Sequence, residues 1–135
     1  MQLQSDRALD VLDGHQYANL TTFRRDGRAV ATPVWFAREG DRLYVMTMRD
    51  TGKVKRLRNN SAARIGPSDR AGKPLGPQVD VFGRELAAGE SAAARRALGR
   101  KYGLMKRLFD LAIALRGASA KQVFLELRVA QGDTR

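Results

Sequence analysis

Hydrophobic and polar residues alternate along most of this chain, and the alternation predicts β-strands. Residues 16–24 (QYANLTTFR) are rich in β-branched and aromatic residues and precede Asp26-Gly27, a strong hairpin signal. Residues 28–38 (RAVATPVWFAR) continue the alternation to the turn at Gly40-Asp41, and residues 42–48 (RLYVMTM) follow. Strands joined by such short turns must be antiparallel, so these three predicted strands form a β-meander.

The periodicity becomes helical at residues 50–60 (DTGKVKRLRNN), where Val54 and Leu57 share one face. Asp50 or Thr51 is expected to cap this helix, and the Asn pair to end it. Further strands are predicted at 62–67, 78–87 and 121–129, and a helix pair at 90–102 and 104–115, the second helix covering the barrel end. The prediction is one mainly β domain, residues 1–135, with about six antiparallel strands closed into a small barrel with flanking helices.

Composition excludes several classes of protein. The chain has no Cys and a single His, which excludes a Cys/His zinc site, a cysteine nucleophile, an iron–sulfur cluster and a redox dithiol. Neither a Gly-x-Ser-x-Gly elbow nor a Gly-x-Gly-x-x-Gly or P-loop motif occurs. No signal-peptide pattern opens the chain and no apolar run approaches the length of a transmembrane helix, so a cytoplasmic protein is expected.

Positive charge is concentrated after the middle of the chain. The formal net charge is +11, and residues 51–75 hold seven basic side chains against one acidic side chain. This bias predicts an anionic partner, which charge alone does not identify among nucleic acid, a membrane surface and a phosphorylated small molecule.

One cluster combines the features of an anion site, at the end of the third predicted strand and the start of the basic helix. Thr47 and Thr51 offer hydroxyl donors, Gly52 permits close approach of the backbone, and Lys53 adds charge beside the N–H groups of the helix start. The alternative interpretation is a solvated basic helix face with an ordinary cap.

These residues resemble a known family. The run YVMTMRDTGKVKRL (44–57), which follows a strand reading RAVATPVWF (28–36), is similar to the FMN-binding split barrels of the pyridoxamine 5'-phosphate oxidase superfamily. Oxidases of that superfamily carry Thr, then Ser four residues on, then Lys two further on, around the flavin phosphate; Thr47, Thr51 and Lys53 match that spacing. The runs LTTFRRDGRAVATPVWF (20–36) and TGKVKRLRNN (51–60) more closely resemble the actinobacterial flavin/deazaflavin oxidoreductase branch, the PPOX-class coenzyme F-420-dependent enzymes. This resemblance covers residues 16 to about 128.

The resemblance implies a set of cofactor-binding residues. They are Thr32, Pro33, Val34, Trp35, Thr47, Met48, Thr51, Gly52, Lys53, Lys55, Arg56 and Arg58. Residues 32–35 would lie beside the ring, and Thr47, Thr51, Gly52 and Lys53 would hold the phosphate. The last three basic residues would meet further negative charge, which favours F-420, with its phosphate and oligoglutamate tail, over FMN.

The implied activity is hydride transfer from ring carbon 5 of the reduced deazaflavin to an unidentified small organic substrate. The implied assembly is a homodimer with the cofactor at the subunit interface. Three side chains are candidate proton donors, although each also has a structural interpretation: His15 at the surface, Tyr17 at a strand edge and Tyr102 capping the Ala-rich helix. The C-terminal segment lacks the Trp/Arg pattern of true pyridoxamine phosphate oxidases, so pyridoxal phosphate synthesis is not expected.

Three alternatives stay open at this point. The protein could be an FMN-binding flavoprotein of the same fold, or a carrier that binds F-420 or FMN without turnover. A more distant alternative is a nucleic-acid-binding barrel, supported by a pI near 11.0. The aromatic residues are not interleaved with the basic run as stacking platforms would be, which disfavours nucleic acid.

Overall fold

Seven antiparallel strands form a single sheet in the computed structural model, which describes residues 7–49, 51–103 and 122–130. The strands are β1 (Tyr17–Phe23), β2 (Ala29–Val34), β3 (Phe36–Glu39), β4 (Arg42–Met48), β5 (Ala62–Ser68), β6 (Val79–Glu85) and β7 (Gln122–Val129). The helices are α1 (Gly52–Asn59) and α2 (Ala92–Tyr102), with 3-10 turns at Asp10–Leu12 and Ala88–Glu90. The mainly β prediction is confirmed.

The strand order is β2-β1-β5-β6-β7-β4-β3, so two strands that are adjacent in sequence lie at opposite edges of the sheet. The single strand predicted over 28–38 is therefore wrong. Its first half pairs with β1, where Val34 lies opposite Ala18, and its second half pairs with β4, where Phe36 lies opposite Val45. Trp35 alone separates the two halves, which raises the predicted six strands to seven.

The closure expected from the strand order alone is corrected, because no hydrogen-bonded ladder joins β2 to β3 in the described sheet. The chain passes from one edge to the other at Trp35, and the split barrel that the family resemblance implies is confirmed. Both predicted hairpins of the meander are present. In the first, the Asp26 carboxylate accepts a hydrogen bond from the Arg28 N–H at 3.1 Å, and Gly27 takes a φ of +91°, which favours glycine.

The core explains why strands β1, β4, β5 and β7 are buried along most of their length. On β4, Leu43 and Val45 point into one hydrophobic cluster, whereas Tyr44 and Met46 belong to a second cluster beneath α2. The first cluster fills the sheet interior and includes Val54 and Leu57 from α1, as their helical spacing predicts. Strands with both faces covered lose the alternation of a half-exposed strand.

The predicted helix ends need two corrections. Thr51 occupies the N-cap position of α1, but its hydroxyl donates to the Met48 carbonyl at 2.9 Å instead of capping the helix. Tyr102 is not a surface cap of α2: its buried hydroxyl accepts a hydrogen bond from the Phe36 N–H at 2.9 Å and donates to the Gln16 carbonyl at 2.7 Å. The prediction for residues 104–117 lies outside the described residues. Among the described helices, none has the length and apolarity to cross a membrane.

Candidate functional site

A cleft of about 420 Å³ opens beside the bend at Trp35. The split edge of the sheet contributes β2 and Trp35, the opposite wall is the end of β4, and α1 begins at its border. The lining residues are Tyr17, Pro33, Val34, Trp35, Met46, Thr47, Met48, Thr51, Lys53, Arg70 and Gln122. The volume lies within the range of small-molecule sites in proteins.

Trp35 provides a rigid aromatic wall for this cleft. It is the only tryptophan of the chain and stacks on Tyr102, with ring centroids 4.6 Å apart and an interplanar angle of 12°. The Tyr102 hydroxyl is in turn hydrogen-bonded to β3 and to the residue before β1. Tyr102 therefore supports one face of the indole. The Trp35 side chain is half-buried and lines the cleft with the rest of its surface.

The residues predicted to hold a phosphate converge at the start of α1. Thr47 is buried at the end of β4, Thr51 is half-buried at the first turn, and Lys53 follows within the helix. Burial, together with the charge of Arg56, lowers the pKa of Lys53 from its ordinary value of 10.5. A partly desolvated ammonium at a helix start is a favourable place for an anion, because the ligand's charge offsets both effects.

The electrostatic character of the cleft is one-sided. Among the described residues, its lining includes two cations, Lys53 and Arg70, and no Asp or Glu. Neither cation forms an ion pair with a described residue. The cleft therefore combines apolar walls with uncompensated positive charge, which suits an anionic ring-bearing ligand.

Seven of the twelve predicted cofactor residues line this cleft and five do not. Pro33, Val34, Trp35, Thr47, Met48, Thr51 and Lys53 are brought together. Thr32, Gly52, Lys55, Arg56 and Arg58 lie outside the lining, and their assignment stays a prediction.

Three of those five residues, Gly52, Arg56 and Arg58, make contacts with residues outside the cleft lining. Arg56 donates from Nε to the Thr22 hydroxyl at 2.6 Å, and its guanidinium packs so closely on Gly52 that an added Cβ would lie 2.6 Å from Nη1. The absence of a side chain at Gly52 thus makes room for Arg56. Arg58 forms an ion pair with Glu85 at 2.8 Å.

Sequence reasoning missed three lining residues, Met46, Arg70 and Gln122. Gln122, at the start of β7, donates from Nε2 to the Met46 sulfur at 3.0 Å. Arg70 comes from the loop 69–78, which thus contributes a cation to the cleft. The turn signals Asp69 and Gly72 predict an ordered loop but not its direction.

Only one of the three candidate proton donors lies in the cleft. Tyr17 is part of the lining, whereas His15 and Tyr102 line a separate cavity together with Gln16 and Lys101. Burial raises the pKa of the Tyr102 phenol above its ordinary value, and its hydroxyl is already engaged with the backbone of β3. Tyr17 is therefore the candidate that the geometry retains.

A family model described as pyridoxamine 5'-phosphate oxidase matches residues 5–135, nearly the whole chain. The chain belongs to this family. The resemblance to the pyridoxamine 5'-phosphate oxidase superfamily, inferred from residues 28–36 and 44–57, is confirmed by this match. A search of curated protein sequences gives no significant match.

Solved structures of diverse proteins share the fold of this family member. An FAD-binding protein from Mesorhizobium loti is 20% identical, with a TM-score of 0.65 over 93% of this chain and 88% of that chain. An F420 reductase is 19% identical, with a TM-score of 0.58 over 90% and 92% of the two chains. The heme storage protein HutZ from Vibrio cholerae is 14% identical, with a TM-score of 0.63 over 98% and 93%. At these identities the similarity establishes the split-barrel fold alone.

Proposed function

We propose that this protein is an oxidoreductase whose cleft binds coenzyme F-420, with a small organic molecule as hydride acceptor. The observation that carries the proposal is the convergence of Trp35 and the end of β2 with Thr47, Thr51 and Lys53 around one cleft, whose described lining residues include no Asp or Glu. An aromatic and aliphatic wall suits a planar tricyclic ring, and the cationic border suits its phosphate.

The residues present fit such a cofactor in chemistry as well as in size. Pro33, Val34, Trp35 and Met46 offer apolar surface to a ring, and the Thr47 and Thr51 hydroxyls lie at the end that Lys53 makes positive. When bound, the reduced deazaflavin supplies the hydride. The chain's own residues would hold the cofactor: the Trp35 wall would orient its ring and exclude water, and Tyr17, which also lines the cleft, would exchange a proton through its hydroxyl.

Charge distinguishes F-420 from FMN, the alternative cofactor. Both carry a phosphate, but only F-420 carries additional carboxylates in an oligoglutamate tail. The lining cations Lys53 and Arg70, together with the exposed Lys55 on α1, supply more positive charge than one phosphate requires. Lys55 is exposed on α1 beside this site and is proposed to meet part of the tail.

A homodimer with the cofactor at the subunit interface is proposed as the assembly, in keeping with the family resemblance. Sedimentation equilibrium of the purified protein tests it, with and without cofactor. A dimer in both states is expected, and a monomer that persists with saturating cofactor would exclude an interface site.

The deciding experiment is a fluorescence titration of the protein with F-420 and, separately, with FMN, each at low and at high salt. The proposal predicts tighter binding of F-420 and a steeper loss of its affinity with salt, because more charges are screened. Tighter FMN binding would move the protein to the flavin branch, and failure to bind either would reject the function.

A second step separates an enzyme from a carrier. Reduced F-420 bound to the protein is mixed with a panel of acceptors, including quinones, enones and nitroaromatic compounds, and the return of the oxidised chromophore is followed. Oxidation that is faster with protein than without it supports an enzyme. Protection of the reduced cofactor against every acceptor would indicate a carrier.

A further inference from the structure

The two cations of the cleft approach it from opposite halves of the sheet. Lys53 is in α1, which follows β4, and β4 lies between β7 and β3 at one side of the strand order. Arg70 is in the loop that follows β5, and β5 lies with β1 and β2 at the other side of the strand order. A ligand in the cleft therefore meets positive charge from two separate directions.

The loop that carries Arg70 is fixed by its own hydrogen bonds. The Asp69 carboxylate accepts from the N–H groups of Ala71 at 2.9 Å and Lys73 at 2.8 Å, and the Asp69 N–H donates to the Lys73 carbonyl at 3.0 Å. These contacts close the turn on both sides of Arg70. The side chain thus starts from an ordered backbone, which lowers the entropy cost of binding a ligand.

A buried amide attaches the same loop to the cleft wall. Asn19, on β1, is 6% exposed and donates from Nδ2 to the Gly72 carbonyl at 2.8 Å. Gly72 has a φ of +96°, and a Cβ there would lie 3.3 Å from Asn19 Oδ1 and 3.6 Å from Pro33, a residue of the cleft lining. Asn19 therefore holds the loop tip directly against the wall beside which Arg70 enters.

Among the described residues, no contact of the Arg70 side chain with the rest of the protein explains this arrangement of the loop. Other arginines of this region form ion pairs, such as Arg64 with Asp80 at 3.2 Å, whereas no carboxylate among the described residues pairs with Arg70. The side chain is largely exposed and lines the cleft. An ordered loop that presents an unpaired guanidinium to a cleft is suited to binding an anion.

We propose that Arg70 is a ligand-binding residue, which holds a carboxylate or other acidic group distinct from the phosphate at Lys53, and that Asn19 is its positioning residue. The inference rests on the proposed function, and it names a specificity: the site prefers ligands with two separated acidic groups. The second group belongs either to the cofactor, as in the tail of F-420, or to the substrate. A planar guanidinium pairs with a carboxylate through two parallel hydrogen bonds, which gives the preference its strength.

Arg70→Ala is the test variant, and Lys73→Ala is its matched control, because Lys73 is an exposed cation of the same loop outside the cleft lining. Affinities are measured for three probes: F-420 with its tail, the same deazaflavin shortened to its phosphate, and FMN. If the second acidic group belongs to the cofactor, Arg70→Ala weakens binding of the tailed form by about tenfold or more and changes the other two by less than about twofold. Lys53→Ala weakens all three.

A second arm addresses the substrate. Glutarate, a dicarboxylate, is titrated into protein saturated with FMN, and the flavin fluorescence is followed. Glutarate binding that Arg70→Ala weakens by about tenfold or more, with unchanged cofactor affinity, assigns the acidic group to the substrate. The proposal is overturned if Arg70→Ala matches the wild type for tailed F-420 and for glutarate alike.

This outcome is distinguishable from failure of the proposed function. If the wild type binds no flavin or deazaflavin, the fluorescence of Trp35, the only tryptophan, reports glutarate and inorganic phosphate binding to the protein directly. If Arg70→Ala loses the glutarate signal but keeps the phosphate signal, the result supports a second anion-binding position at Arg70 without any cofactor. Equal signals in both proteins overturn it.

A double-mutant cycle tests the role of Asn19. If Asn19 acts by positioning Arg70, Asn19→Ala weakens the acidic probe in the wild-type background and has no further effect in Arg70→Ala. Additive losses would give Asn19 a merely structural role. Gly72→Ala, which displaces the loop tip and leaves Asn19 intact, is the second variant and is expected to reproduce the loss.

Discussion

Two groups of basic side chains in this protein differ in the groups that face them. On neighbouring strands β4, β6 and β7, Arg42, Arg84 and Arg128 surround the buried carboxylate of Glu126 at 3.4, 3.1 and 3.5 Å. In the cleft, Lys53 and Arg70 have no acidic neighbour among the lining residues. The first group is committed to the fold, and the second is available to a ligand.

The pKa shifts follow the same division. Hydrogen bonds to Glu90 and then Glu126 raise the pKa of the Arg84 guanidinium, whereas burial and the charge of Arg56 lower the pKa of the Lys53 ammonium. A net charge of +11 therefore does not by itself locate the site. The informative feature is a cation that is desolvated and has no carboxylate partner.

The largest effect is expected when the carboxylate at the centre of the first group, Glu126, is removed. Glu126→Ala leaves three guanidinium groups near one another without their central carboxylate, and we expect a loss of about 3 kcal/mol in the free energy of unfolding. The measurement is urea denaturation followed by circular dichroism. Cofactor affinity is expected to be unchanged, because Glu126 lies outside the cleft lining.

Asp80→Asn is the control for this prediction. Its ion pair with Arg64 is exposed on both sides, at 75% and 51% side-chain exposure, so its loss should cost less than about 1 kcal/mol. Equal destabilisation by the two variants would show that the burial of Glu126 contributes nothing special to the sheet.

The second prediction concerns the cations of the cleft. Removing one of them should lower cofactor affinity and leave the stability of the free protein unchanged, the opposite of the result expected for Glu126→Ala. Lys53→Ala is expected to weaken cofactor binding by about 1.5 to 3 kcal/mol, since it removes a charge-assisted hydrogen bond to the phosphate. The stability of the free protein should not fall, because the variant removes a desolvated charge without a carboxylate partner. Isothermal titration and urea denaturation measure the two quantities.

Lys73→Ala is the control for this prediction as well, because Lys73 is an exposed lysine outside the cleft lining. A Lys53→Ala protein that binds F-420 and FMN like the wild type would remove Lys53 from the phosphate site. A protein that loses both affinity and stability would assign Lys53 to the fold and would end the distinction between the two groups.

The third prediction uses pH to sharpen the comparison. The pKa of Lys53 in the free protein lies below 10.5, and only the ammonium form binds the phosphate strongly. Bound phosphate raises that pKa, so affinity should fall as pH rises through the lowered free-protein value. Lys53→Arg stays charged and should lose this alkaline decline. An identical pH profile in both proteins would assign the decline to another group.

The sequence predicted local elements well because local signals determine them. Asp26-Gly27 specified the first hairpin, and the spacing of Val54 and Leu57 specified the buried face of α1. The break at Trp35 could not be predicted, because no Gly or Asn/Asp turn signal interrupts residues 28–38 and the edge at which each half pairs depends on distant strands.

The candidate site was predictable where its residues are adjacent in sequence and not where they meet through the fold. Thr47, Thr51 and Lys53 lie within seven positions and could be recognised together. Arg70 and Gln122 reach the cleft from a loop and from the last strand, so only the sheet order places them there. Charge counting also could not separate Arg58, which is paired with Glu85, from Lys53.

The smallest effect is expected for Arg58, and it discriminates best between basic residues that are paired within the fold and those that are available to a ligand. Its ion pair with Glu85 is partly exposed, so Arg58→Ala should reduce the free energy of unfolding by about 0.2 to 1 kcal/mol. Because the guanidinium is already engaged outside the cleft lining, F-420 affinity should change by less than about twofold, whereas the neighbouring Lys53→Ala changes it strongly. Titration of both variants with tailed F-420 makes the comparison. A tenfold loss in Arg58→Ala would mean that the cofactor tail displaces Glu85, and that a paired arginine can be recruited to a ligand after all.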